Sequence, residues 1–348
     1  MSLSGCFHPK RVLLSPVSTK TGEKHASSCV AWFAELRDAC GPFQWITFAY
    51  LAWLTALVII CRHNITHPIH HAIAQLAIAL AITILVHPAR NSRNMLVRFA
   101  RHWYPLPLYI FFFEELQSLV HAIWPGWFDA HLLAFDHALF RVHPSVWLSQ
   151  FSSPGLNEFM QFSYMTYFLY LVILPAILYA ERQYASFWTV MVSTAVAHYS
   201  VYVIAILFPI ESPYYSLVSL NRVTLSGGYC TALIGMIEHF GRVHGAAFPS
   251  AHVAGSMVAI LASWRYRRWL FWLCLPFFAS MCLATVYGRY HYAADVFAGL
   301  VVGTFGFKLG TRLTASENLL LPAQIPEGAE IGDQEHESVL ALIADRAE

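Results

Sequence analysis

The chain has 348 residues, 57% of them hydrophobic and only 12% charged, about half the charged share of an average soluble domain at roughly 25%. Recurring apolar runs of about 20 residues mark an all-α polytopic membrane protein. A net charge of +1 supplies no basic field of the kind that nucleic acid requires. The cysteines Cys6, Cys29, Cys40, Cys61, Cys230, Cys274 and Cys282 show neither CxxC pairs nor metal-ligand spacing, and read as small apolar side chains.

Residues 1–42 are polar and lack the apolar centre of a cleavable signal, so the first spanning helix is expected to serve as the insertion signal. A transmembrane domain is predicted over 43–312 with eight spans: Phe43 to Cys61, Ile69 to His87, Trp103 to Trp124, Met160 to Ala180, Ser186 to Phe208, Ala247 to Trp264, Trp269 to Val286, and His291 to Leu309. The third is the least regular, because FFFEELQSLV sets Glu114 and Glu115 near its middle. Residues 313–348 are acidic, contain Pro322, Pro326 and Gly328, and are expected to form a disordered tail.

Eight crossings put both termini on one side. Of the 21 Lys and Arg residues, only Arg62, Arg141, Arg222, Arg242 and Arg289 fall on the other. The positive-inside rule then makes the termini cytosolic. The two long connections, 125–159 and 209–246, become exoplasmic, facing periplasm, exterior or an organelle lumen. Both are rich in Trp, Tyr, Phe, Pro and Gly, as befits segments at headgroup level.

The sixth span opens on GAAFPSAHVAG. Pro249 suits a first helical turn, and Ser250 can either cap that turn or direct its hydroxyl and the free N–H groups toward an anion. His252 then sits at the exoplasmic mouth. The seventh span returns to the same face, where VYGRYHYAADVFAG begins the eighth. His291 and Asp295 are four apart, a spacing that shares one helical face. A carboxylate so placed holds one ring nitrogen protonated and frees the other as a nucleophile or base, and an ionisable residue inside a span is a functional hypothesis by default. Gly299, Gly303, Gly306 and Gly310 form a small-residue stripe, expected to bring this span close to Ala254, Gly255 and Ala259 of the sixth.

FPSAH followed by a returning helix and HYAAD resembles the second and third signature motifs of the type 2 phosphatidic acid phosphatase superfamily of membrane lipid phosphatases and phosphotransferases. The likeness extends over roughly 160–310. It implies a six-helix catalytic bundle, His291 as the group that attacks phosphorus, Asp295 as its orienting carboxylate, and His252 as the acid that protonates the leaving group. It also implies a phosphohistidine intermediate, formed with no metal and no cofactor.

Two departures stand out. The superfamily's first motif, Lys-x6-Arg-Pro, is absent, and Thr285 occupies the place of an arginine six residues before the nucleophile. VYGRYH, with Arg289, and FPIESPYY look more like the branch containing inositol phosphorylceramide synthase and sphingomyelin synthase. That likeness implies headgroup transfer between a phospholipid and a sphingolipid, with Ser250 and Arg289 holding the substrate phosphate. The alternatives are a plain lipid phosphate phosphatase and a catalytically silent lipid-binding transporter or scaffold. Eighteen histidines also raise a haem or quinone protein, but they gather at span ends and loops rather than between spans. A zinc site at His63, His67, His70 and His71 is disfavoured by Pro68, which breaks the helical register. Nothing in the sequence fixes an oligomeric state.

Overall fold

The computed structural model describes residues 35–37, 39–86 and 92–318. Over 42–318 the chain forms thirteen helices, with no strand among the described residues. They are α1 (Pro42–Ile60), α2 (Pro68–Val86), α3 (Met95–Trp103), α4 (Pro105–Leu119), α5 (Asp129–Phe140), α6 (Pro144–Ser149), α7 (Pro154–Ala180), α8 (Tyr184–Leu207), α9 (Pro213–Ser216), α10 (Tyr229–Gly241), α11 (Ala251–Tyr266), α12 (Arg268–Tyr287) and α13 (Ala293–Asn318). Helices α1, α2, α4, α6, α7 and α9 begin at proline, whose fixed φ suits the first turn and whose missing N–H costs nothing there.

Among the described residues six helices are long and apolar enough to cross a membrane: α1, α2, α7, α8, α12 and α13. They fit an integral multi-pass membrane protein. The other two expected spans are shorter. The third is broken at Tyr104, where Pro105 starts the 15-residue α4. The sixth is the 16-residue α11, about 24 Å long against an apolar bilayer core of about 30 Å. Helix α13 runs to Asn318, past the boundary expected at 312. The rest of the expected tail and residues 1–34 lie outside the described residues, as do Cys6 and Cys29. The five described cysteines are free thiols.

Helix α8 is the centre of the bundle, with 78% of its apolar window buried and with α1, α4, α7, α11 and α13 packed against it. The glycine stripe of α13 explains how closely these helices meet, but it serves two neighbours rather than the one expected. A Cβ on Gly303 would lie 2.5 Å from the Ala254 carbonyl oxygen of α11. A Cβ on Gly306 would lie 2.7 Å from Ala197 Cβ of α8. Gly255 faces away from the stripe, against the His198 ring.

Both long connections gather at the end of the bundle where α11 and α13 begin. Phe128 N–H donates to Pro209 O, and Ile210 pairs with Gly245 and Ala247 in a single bridge. Gly245 has φ +99°, and a Cβ there would lie 2.6 Å from Val120 Cγ1, so glycine meets both a conformational and a steric demand. Tyr214 N–H donates to Arg289 O, which ties the second connection to the turn before α13.

Candidate active site

Ser250 is the N-cap of α11, its hydroxyl accepting from Val253 N–H at 3.3 Å. Pro249 therefore precedes the helix instead of opening it. Ser250 N–H donates to Asp295 O at 3.1 Å, which fastens the start of α11 to the first turn of α13. His252 lies in the first turn of α11, and its ring centroid is 5.7 Å from that of His291.

His291 stands in the turn before α13, because the helix starts only at Ala293. Its pairing with Asp295 therefore does not come from a shared helical face. Instead the Asp295 carboxylate folds back over the helix start, accepting from Tyr292 N–H at 2.8 Å and from His291 Nδ1 at 3.3 Å. The shorter bond from His291 Nδ1 goes to Ala247 O at 2.8 Å. A carbonyl oxygen only accepts, so Nδ1 carries the hydrogen and the Nε2 lone pair is left free. Asp295 is 0% exposed, and its Oδ1 is buried without a partner.

The ring of His252 is set by residues that the sequence did not single out. Tyr164 OH lies 2.9 Å from His252 Nε2, and the Tyr167 ring packs at 4.4 Å. Tyr167 OH in turn bonds His198 Nε2 at 2.9 Å, while His198 Nδ1 donates to Thr194 O. His252 Nδ1 is buried without a partner. These contacts join α7, α8 and α11, and no local motif announces them.

Asp129 and Asp136 were also missed, although DAHLLAFD carries a usable signal: two acids seven apart share a face of one helix. Asp136, 1% exposed, accepts from Ala293 N–H and Ala294 N–H at 3.0 Å each. It thereby satisfies two of the free donors at the start of α13. Asp129 accepts from Tyr292 OH at 2.6 Å and Glu211 N–H at 3.0 Å. Burial raises both carboxyls above their ordinary range, against the pull of these hydrogen bonds.

Arg289, 7% exposed, has φ 64°, and its Nη2 donates to Val223 O at 2.6 Å. It lines a pocket of about 300 Å³ with Tyr214, Tyr215, Val218 and Asn221. Thr285 is buried, and its hydroxyl bonds Cys282 O. Glu115 is buried and accepts from Gln75 Nε2 at 2.8 Å, with His71 Nδ1 at 3.2 Å. Glu114 is exposed. Among the described residues no group of three or more His, Cys, Asp or Glu is arranged to hold a metal.

A comparison with curated proteins and one with solved structures give no match. A comparison with protein families matches the PAP2 superfamily over residues 130–309, a stretch that contains FPSAH, HYAAD and Asp136. With more than half its length in that match, the chain belongs to the PAP2 superfamily and is a lipid enzyme of the phosphatase and phosphotransferase type.

Proposed function

We propose that the protein transfers a phospho-headgroup from a membrane phospholipid to an acceptor lipid hydroxyl, in the manner of inositol phosphorylceramide synthase, through an intermediate on His291. The observation that carries this reading is the pair of rings 5.7 Å apart, one of which has its Nδ1 hydrogen engaged by Ala247 O and Asp295. His291 Nε2 attacks phosphorus, and the bond from phosphorus to the leaving lipid oxygen breaks. His252, protonated, gives its Nδ1 proton to that oxygen. Asp295 and Ala247 O stabilise the charge left on the His291 ring. In the second half, His252 takes the proton of the acceptor hydroxyl as that oxygen attacks phosphorus and the bond to His291 breaks.

Ser250 and Arg289 hold the phospho-headgroup in this reading. Arg289 brings the one charge of the pocket wall, and a guanidinium suits phosphate oxygens. The charge distribution along the chain supports cytosolic termini and a reaction centre on the exoplasmic side.

The test is a lipid assay of purified protein in detergent with EDTA present, comparing wild type with His291→Ala. Labelled phosphatidic acid, phosphatidylinositol and phosphatidylethanolamine are supplied with and without ceramide or diacylglycerol. The expected product is a new phospho-headgroup lipid that requires the acceptor, with activity reduced on the order of 10³-fold or more in the variant. Free phosphate or free phospho-alcohol as the sole product would make the protein a hydrolase. Equal behaviour of two folded proteins on every lipid would overturn the reading.

A further inference from the structure

The pocket beside Arg289 carries chemistry that the reacting phosphate does not use. At about 300 Å³ it stands at the low end of small-molecule sites, which run from about 300 to 1,000 Å³; it suits a headgroup rather than a whole lipid. Two of its five lining residues keep a buried polar atom without a partner: Arg289 Nε, a donor, and Asn221 Oδ1, an acceptor. The Asn221 amide is oriented by its other end, because Nδ2 donates to Pro213 O at 3.0 Å.

Of the five residues that line the pocket, Arg289 alone is charged. Among the described residues no carboxylate pairs with Arg289. Arg242, at the end of α10, lies 4.2 Å over the Tyr214 ring, the aromatic face that would otherwise receive an ammonium group, and is itself paired with Glu238. A cationic headgroup therefore meets Arg289 unopposed and finds the Tyr214 face already taken. The phosphodiester group of a lipid has no hydrogen to give Asn221 Oδ1. A hydroxyl both accepts and donates, and so matches Arg289 Nε–H and Asn221 Oδ1 together.

We propose that the pocket of Tyr214, Tyr215, Val218, Asn221 and Arg289 is a headgroup subsite that selects an uncharged, hydroxyl-bearing alcohol on the substrate phosphate and rejects cationic headgroups. This rests on the lipid-enzyme reading above and refines the part given there to Arg289, which here meets the alcohol beyond the phosphate. Asn221 becomes the specificity-determining residue. A buried polar group deprived of its partner discriminates more sharply than apolar contact does.

The experiment is equilibrium binding in detergent to the His291→Ala protein, so that no turnover is needed. The probes are dihexanoyl forms of phosphatidylglycerol, phosphatidylinositol, phosphatidylethanolamine and phosphatidic acid. The two hydroxylated lipids are expected to bind at least about tenfold more tightly than the other two. Asn221→Leu should erase that advantage while leaving phosphatidic acid binding in place. Asn221→Asp, nearly isosteric, should bring phosphatidylethanolamine up toward the hydroxylated pair, and it decides the matter if the leucine variant does not fold. Equal binding of all four lipids, binding of none, or an Asn221→Asp profile identical to that of the parent would overturn the subsite. Failure of the headgroup-transfer reading appears separately, as wild-type protein with no dependence on His291 in the lipid assay.

Discussion

Among the described residues two histidine–carboxylate pairs bury their carboxylate, His291 with Asp295 at 3.3 Å and His71 with Glu115 at 3.2 Å. In each, one carboxylate oxygen is buried without a partner, Asp295 Oδ1 and Glu115 Oε2. Their surroundings differ. His71 belongs to α2, which turns Ile69, Ile73, Leu76, Leu80 and Ile84 outward and buries only 17% of its apolar window. Its pair is completed by Gln75, and through Gln75 by Thr55, in a network that links α1, α2 and α4. His291 instead faces a second histidine, and Tyr164, Asp136 and Ser250 brace the two helix starts around it. The two paired imidazoles differ in what is held opposite them, and spacing along the chain says little about that.

Four substitutions sharpen the contrast. In the proposed mechanism Asp295→Asn removes the charge that stabilises the His291 ring, and kcat is expected to fall by about 10²- to 10⁴-fold with the protein still folded, read in the lipid assay. Gly303→Val drives a side chain into the Ala254 carbonyl; a loss of about 1–3 kcal/mol should appear as a lower thermal midpoint in detergent. Asp136→Asn can accept only one of the two N–H bonds that the carboxylate takes from Ala293 and Ala294. A fall in kcat of about tenfold is expected, with KM nearly unchanged. Glu115→Gln, in the other pair, should leave kcat within about threefold and cost about 1 kcal/mol of stability. If Glu115→Gln and Asp295→Asn lowered kcat alike, the contrast between the two pairs would be void.

Much of the bundle was legible in the sequence because apolar length and proline positions act locally. The six long helices follow from runs of about 20 apolar residues, and FPSAH and HYAAD each lie within a few residues of a helix start. The details that failed are those set by partners distant in sequence. Four-residue spacing predicts His291 and Asp295 on one helical face, yet the Ala247 carbonyl and the Asp295 capping bond hold His291 in a turn. The span expected from Trp103 was shortened by Pro105, a residue visible in the sequence but outweighed by the hydropathy around it. Tyr164 reaches His252 across 88 positions, and Asp136 reaches Ala293 across 157. Neither residue type nor spacing announces contacts of that range.

The glycine stripe of α13 has a consequence for time as well as for space. Its backbone meets α11 at Gly299 and Gly303 and α8 at Gly306 and Gly310, so those amides have no small excursion by which to reach water. Hydrogen exchange over 299–310 should proceed only as fast as the bundle opens, while residues 217–228, which form no regular element, exchange by local motion alone. The segment beside Arg289 and the helix contacts that hold His252 near His291 then answer to different barriers, so detergent or temperature can alter one rate without the other.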